Sequence, residues 1–293
     1  MNYLYQVFFF YLSMVHSIRY FASKIFKHNS KIQLYNSKYN IVSITNNKIY
    51  NIETDKEEYM KQNEFIKDKK IISISPGGFK GVYMLGLCVY IKDNFNLDNF
   101  IFSGASAGAW NSLMLCCKKD INYFKTDIVD YSIKNTHTLF DLEYLMKKKI
   151  LEYYNTEDFD LRRLFIGVTT LNGFYPETKI FSNFNNLEDA INCCIASSHI
   201  PLITGGMINK YYNMFTFDGG FSKTPYLNIS ENVLHITPSI WKKEQLVIQR
   251  NSIGDLNEFT TLFSKHKYNF TELYVNGYHD AKKNHDYLKS RLG

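Results

Sequence analysis

No aspartate or glutamate occurs in the first 52 residues, which carry six basic residues: Arg19, Lys24, Lys27, Lys31, Lys38 and Lys48. Taking those six from the 34 basic residues of the 293-residue chain leaves 28, against 28 acids in all. The net charge of +6 therefore belongs to the N-terminal extension. The body is neutral and lacks the basic footprint of a nucleic-acid binder. Proline is scarce, at five, and the 15 glycines follow no period, which excludes collagen-like and low-complexity chains. Disorder is excluded by 23 Phe and 23 Tyr, more apolar surface than a disordered chain carries. The five cysteines, Cys88, Cys116, Cys117, Cys193 and Cys194, include two vicinal pairs and no C-x-x-C spacing. They supply neither a disulfide framework nor a metal or redox motif, and read as reduced, partly buried thiols. No metal ion and no cofactor are expected.

A long hydrophobic run is missing too. Residues 3–15 are apolar and uncharged, shorter than the ~18–20 residues a spanning helix needs. Extending the run to Phe26 takes in Arg19 and Lys24. A secretory signal would start with a basic stretch, and none precedes Tyr3. Three readings stay open for residues 1–28: a membrane-surface helix or anchor, a cleaved organelle-targeting segment, or a helix packed on a soluble intracellular domain. Between residues 31 and 52, alternations around Asn36-Ser37 and Asn46-Asn47 predict two small hairpins. From Glu53 to Lys70 the chain is charged and helix-compatible. This places an extension at 1–68 and the main domain at 69–293.

Within that domain the period switches between strand and helix. Lys70–Ser75 and Asn99–Ser103 read as buried strands, the first followed by helical spacing of Val82, Leu85 and Val89, the second by Trp110, Leu113, Met114 and Cys117. Further strands are expected at Leu164–Thr170, Tyr212–Phe217 and Asn232–Ile236, with a helix at Leu187–Ser197. Such alternation predicts an α/β fold with a mostly parallel sheet covered on both faces. Sites in such sheets form at the carboxyl ends of strands.

Three glycine-rich turns fall at such ends. Gly104-Ala105-Ser106-Ala107-Gly108 fits G-x-S-x-G, in which a serine stands on a sharp strand-to-helix turn. The motif is weak alone, but a strand pattern precedes it and a helical one follows. Pro76-Gly77-Gly78-Phe79-Lys80-Gly81 offers bare backbone amides that could face a developing negative charge. It lacks the Lys-Ser/Thr of a phosphate loop, and its glycine spacing departs from the dinucleotide fingerprint. The third turn, Phe217-Asp218-Gly219-Gly220, lets another group approach an acid closely.

Together these turns resemble the patatin-like phospholipase family, whose pattern runs G-G-G-x-[RK]-G, G-x-S-x-G and D-G-[GA]. Ala196-Ser197-Ser198-His199-Ile200-Pro201 is similar to its A-S-x-x-x-P segment, and Asn276-Gly277-Tyr278-His279-Asp280-Ala281 to its C-terminal helix. The resemblance covers roughly residues 69–285, with Pro76 standing where the family has its first glycine. It implies a three-layer sandwich and a lipid acyl hydrolase acting through a Ser–Asp dyad. Ser106 would be the nucleophile and Asp218 the general base. Amides of Gly77, Gly78 and Phe79 would form the oxyanion hole, supported by Lys80, Gly81, Gly104, Gly108, Gly219 and Gly220.

A lipid substrate at an interface is the implied partner. A Ser…Asp…His triad is formally available through His235, His266, His279 or His285, while His199 reads as structural. A lipid acyltransferase, or a membrane-associated protein that keeps the fold without catalysis, are the other function classes. The charged stretch Asn135–Glu157 is a candidate cover for the site.

Overall fold

The structure, a computed structural model, describes residues 41–45, 48–52, 64–241 and 269–293, apart from 122–123, 125–127, 130, 137, 173–174, 223 and 229–230. The apolar-basic segment 1–28, the hairpin expected at Asn36-Ser37, most of the charged stretch 53–70 and His266 lie outside the described residues. The strands are β1 (Ile41–Thr45), β2 (Lys48–Ile52), β3 (Lys70–Ile74), β4 (Phe100–Gly104), β5 (Leu164–Asn172), β6 (Tyr175–Ser182), β7 (Asn209–Tyr211), β8 (Met214–Phe217) and β9 (Asn232–Ile236). The principal helices are α1 (Gly81–Asn94), α2 (Ala107–Leu115), α3 (Leu139–Tyr153), α4 (Leu187–Ser197), α5 (Phe270–Lys283) and α6 (His285–Leu292).

The strands join in one mixed sheet, mostly parallel, in the order β2-β1-β6-β5-β4-β3-β9, with β8 beside β5 and β7 beside β8. From β5 to the edge strand β9 it is parallel: β5, β4, β3 and β9 all run the same way. The strand-helix alternation of the sequence produces this arrangement, because parallel neighbours need a crossover and the helices supply it. Alternate side chains of β3 enter opposite layers. Ile72 and Ile74 pack in the large core beneath α1, α2 and α4. Ile71 packs with Ile101, Phe165, Ile180 and Leu227 on the other face, closed by Ile66 of the helical turn Glu64–Ile66. A central parallel sheet covered on both faces explains why its strands read as continuous apolar runs.

Three parts of the sheet differ from the sequence reading. The strand expected at Tyr212–Phe217 is β8 alone, from Met214, because Tyr212 and Asn213 take φ 46° and 63° in the turn from β7, which was not expected. β6 was not expected, and it returns antiparallel on β5 with Asn172 opposite Tyr175. The hairpin expected at Asn46-Asn47 is present as β1 and β2, and it is not a separate ornament. β1 pairs in parallel with β6, so the hairpin completes one edge of the sheet.

Helix ends follow local chemistry. Thr138 and Asn186 cap α3 and α4 by accepting from the amides of Asp141 and Asp189. α1 is buried from Met84 through Ile91, so the apolar stripe Val82, Leu85, Val89 widens into a core helix. α5 crosses α1 at close range: a side chain at Gly277 would begin 2.0 Å from the Tyr83 carbonyl oxygen. One turn on, the Tyr83 hydroxyl donates to the Asp280 carboxylate at 2.7 Å. Both features belong to the Gly277–Asp280 block, which thus serves packing. All five cysteines are buried with free thiols. Among the described residues no helix is long and apolar enough to cross a membrane.

Candidate active site

β3 and β4 pair from Lys70–Phe100 to Ile74–Gly104, so both end at the same level of the sheet. The turns that leave them therefore lie side by side. A side chain at Gly81 would begin 2.6 Å from the Ala107 methyl carbon, and the Asn111 amide of α2 donates to the Gly81 carbonyl at 3.1 Å. The register of two strands thus brings the Pro76–Gly81 turn to the Gly104–Gly108 elbow.

The elbow is sharp because two glycines let backbones cross. A side chain at Gly104 would meet the Gly108 carbonyl oxygen at 2.1 Å, and one at Gly108 would meet that of Ile74 at 2.1 Å. Between them Ser106 takes φ 54° and ψ −127°, a conformation that costs an L-residue about 1–3 kcal/mol. Packing on both sides holds it there. The Ser106 amide donates to Ser197 Oγ at 2.8 Å, and that hydroxyl donates onward to the Gly167 carbonyl at 2.7 Å. Ser197, at the end of α4, thereby clamps the elbow to β5.

Asp218 arrives from β8, which pairs with β5 through Thr169–Phe217 and Thr170–Thr216. Its amide donates to the His199 carbonyl at 2.7 Å, and its own carbonyl accepts from Thr169 Oγ1 at 2.9 Å. With the backbone fixed at both ends, the carboxylate faces the elbow. Ser106 Oγ donates to Asp218 Oδ2 at 2.6 Å, and the Gly220 amide donates to Oδ1 at 2.6 Å. Ser106 and Asp218 are both buried. Burial raises the Asp218 carboxyl to about 6, and the bonds from Ser106 and Gly220 oppose that rise. A carboxylate so adjusted is a stronger base near neutrality than an exposed one, and still mostly ionised at pH 7.

Both side chains line a cavity of about 130 Å³. Gly78, Phe79 and Gly81 contribute to its wall, and Gly78 has φ 50°. Gly77 stands one residue back, its carbonyl accepting from the Lys80 amide at 3.0 Å. Neither Gly77 nor the partly exposed Lys80 lines the cavity. Gly219 is buried against the Gly167 carbonyl and Ala105. The rest of the wall is largely apolar, with Leu85 of α1, Trp110 of α2, and Leu139, Leu142 and Met146 of α3. A mostly apolar cavity with a hydroxyl–carboxylate pair in its wall can take the ester end of an apolar acyl group, though at about 130 Å³ it does not enclose a whole long chain.

Among the described residues no histidine lines this cavity. His235 bonds Ser73 Oγ at 2.7 Å, His285 bonds the Tyr90 hydroxyl at 2.9 Å, and His279 is exposed. His199 is buried, holds Asp218 only through its backbone, and is pushed toward the neutral form by burial. Groups of three or more His, Cys, Asp or Glu side chains able to hold a metal are absent among the described residues.

Three polar residues of the site were not assigned roles from sequence. Ser197 is the clamp described above. Ser198 accepts from Trp110 Nε1 at 3.0 Å and fixes that ring in the wall. Glu143 of α3 is buried in the cavity wall, and burial, then the Asp218 charge, hold its carboxyl well above the usual range. A signal for Glu143 existed: it falls at helical spacing among Leu139, Leu142, Met146 and Ile150, on the apolar face.

Comparison with known proteins adds an independent line. The family model described as patatin-like phospholipase matches residues 72–228. Patatin-like phospholipase domain-containing protein 2 of Bos taurus is 22% identical over 213 residues, 69% of this chain and 43% of that protein. The same protein of Homo sapiens is also 22% identical, over 42% of its length, so the chain spans less than half of either. Patatin-like phospholipase domain-containing protein 4 of Homo sapiens is 24% identical over 242 residues, 72% of this chain and 94% of that protein. The matched segment takes in the end of β3, the elbow, Asp218 and more than half of the residues, and this chain belongs to the patatin-like phospholipase family.

Proposed function

We propose that this protein is a lipid acyl hydrolase that cleaves fatty-acyl esters of phospholipids or related glycerolipids through a covalent acyl-enzyme. The observation that carries the reading is the 2.6 Å hydrogen bond from Ser106 Oγ to the buried Asp218 carboxylate, in the wall of a mostly apolar cavity. Ser106 Oγ attacks the ester carbonyl while its proton passes to Asp218 Oδ2. The new Oγ–C bond leaves the negative charge on the former carbonyl oxygen. Amides of Gly78 and Phe79, with Gly77 one residue back, stabilise it there at about 3 kcal/mol each, and the N-terminal dipole of α2 adds to them. Collapse breaks the bond to the leaving alcohol, which takes the proton from Asp218. Water then attacks the acyl group, gives its proton to Asp218, and releases the fatty acid as Ser106 recovers the proton.

In this reading residues 69–293 are the catalytic domain, with β1 and β2 lent to the sheet edge by the extension. Residues 1–28 bring the chain to a lipid interface.

A fluorophosphonate, which adds to an activated serine, tests the chemistry without the lipid. Intact-mass and peptide analysis should show one adduct, on Ser106, formed at a rate that rises as Asp218 ionises with a midpoint near about 6. A rate flat from pH 4 to pH 8, or an adduct elsewhere, would remove Asp218 as the base or Ser106 as the nucleophile.

A further inference from the structure

α3 and the segment after α4 wall the cavity with one side and meet solvent with the other. Leu139, Leu142 and Met146 of α3, and Ile200 and Thr204 of the segment, line the cavity. Outward from the same backbone, Phe140 and Tyr144 are 55% and 63% exposed, and Leu202, Met207 and Ile208 are 49%, 47% and 59% exposed. The two groups adjoin, since Phe140 Cδ2 lies 3.5 Å from where a side chain at Gly205 would begin. A cluster of this kind on the segments that wall a cavity is unlike the scattered single apolar residues of an ordinary surface.

Basic groups stand beside it, with one exposed acid, Asp141. No acid occurs between Asp189 and Asp218, while Lys210 is exposed on this stretch. On α3, Lys148 is exposed one turn beyond Tyr144, and the nearby acid Asp141 accepts from the Thr138 hydroxyl at 2.6 Å. The presentation of Leu202 also carries a cost. Its φ is 65°, a left-handed conformation that disfavours a leucine by about 1–2 kcal/mol. The turn enforces it: the Leu202 amide donates to the Gly206 carbonyl at 3.3 Å, and the Ile200 amide to Thr204 Oγ1 at 2.8 Å. A strained turn that holds a leucine out into solvent is explained by something that covers the leucine.

We propose that Phe140, Tyr144, Leu202, Met207 and Ile208 form the surface by which this protein settles on an anionic lipid interface, with Lys148 and Lys210 facing the head groups. The inference rests on the lipid-hydrolase reading and gives its site an orientation. Acyl chains at that interface lie against the same two segments that wall the cavity, so an ester reaches Ser106 without crossing water.

The test uses the full-length chain carrying Ser106→Ala, so that the vesicles stay intact. Binding to phosphatidylcholine vesicles, with and without phosphatidylglycerol, is compared for the parent, Phe140→Ser/Tyr144→Ser, and Leu202→Ser/Met207→Ser/Ile208→Ser. Each set is expected to weaken binding to the anionic vesicles at least about tenfold. With Ser106 restored, each should keep wild-type turnover of a soluble short-chain ester, which shows an intact fold and site. Undiminished vesicle binding by both sets overturns the proposal. So does a dimer, seen by light scattering, that both sets dissociate, because the face then belongs to a second copy. If the wild type hydrolyses no ester at all but the sets lose vesicle binding with unchanged circular dichroism, the hydrolase reading fails and the lipid surface stands.

Discussion

Asp218→Asn should produce a protein that turns over esters at least about a thousandfold more slowly than the wild type, yet unfolds at a higher temperature at pH 8. The two effects share one cause. The wild-type carboxyl is raised to about 6 by burial, above its ordinary value near ~4 in the unfolded chain. A carboxyl raised by folding stabilises the protein while it is protonated. That contribution is complete below the unfolded value and lost as the pH rises through about 6. At pH 8 the ionised, buried carboxylate therefore costs on the order of 3 kcal/mol. Asparagine removes the charge, can still accept from the Gly220 amide, and cannot take a proton from Ser106. Thermal midpoints of the two proteins should converge as the pH is lowered from 8 toward 4, while the difference in turnover persists wherever Asp218 is ionised. A variant that is both active and less stable at pH 8 would mean that the carboxylate serves structure.

Gly108→Ala should remove several kcal/mol of stability, enough to abolish soluble expression of a protein with ordinary marginal stability. The added methyl carbon would begin 2.1 Å from the Ile74 carbonyl oxygen and 2.7 Å from that of Ser75. Both obstacles are backbone at the end of β3, so no side chain can swing away. Relief would require separating β3 from α2, and with it the turn that faces Ser106. Gly206→Ala is the control. Its nearest neighbour would be the Ile208 carbonyl oxygen at 4.0 Å, and the change should stay within about 0.5 kcal/mol of wild type. Chemical denaturation, or soluble yield where unfolding cannot be followed, separates the two.

The site was more legible in the sequence than the sheet around it, for a physical reason. A serine on a crossing elbow needs glycine at 104 and 108, and an acid approached from one side tolerates little at 219 and 220. Those requirements appear in the chain as short, ordered motifs. β3 and β4 were readable because burial on both faces makes them nearly continuous apolar runs, and β9, at the sheet edge, because buried Leu234 and Ile236 alternate with exposed His235. β6 was not, because Pro176, Glu177, Thr178 and Lys179 hide it, although Asn172-Gly173 is a strong hairpin signal. The parallel pairing of β1 with β6 joins Ile41 to Ile180, and no local pattern encodes a partner so distant. Glu143 shares the helical spacing of the apolar face of α3, but its burial depends on where α3 packs. The clamp by Ser197 likewise exists only once α4, β5 and the elbow have met.

The most direct test of Ser106 as the nucleophile is fatty-acid release from mixed-phospholipid vesicles, in the presence of EDTA, by the wild type and by Ser106→Ala. The dyad predicts release by the wild type and none above background from the variant, with both proteins folded by circular dichroism. Equal release by the two, or none from a folded wild type that binds the vesicles, would contradict a phospholipid acyl hydrolase built on Ser106 and Asp218.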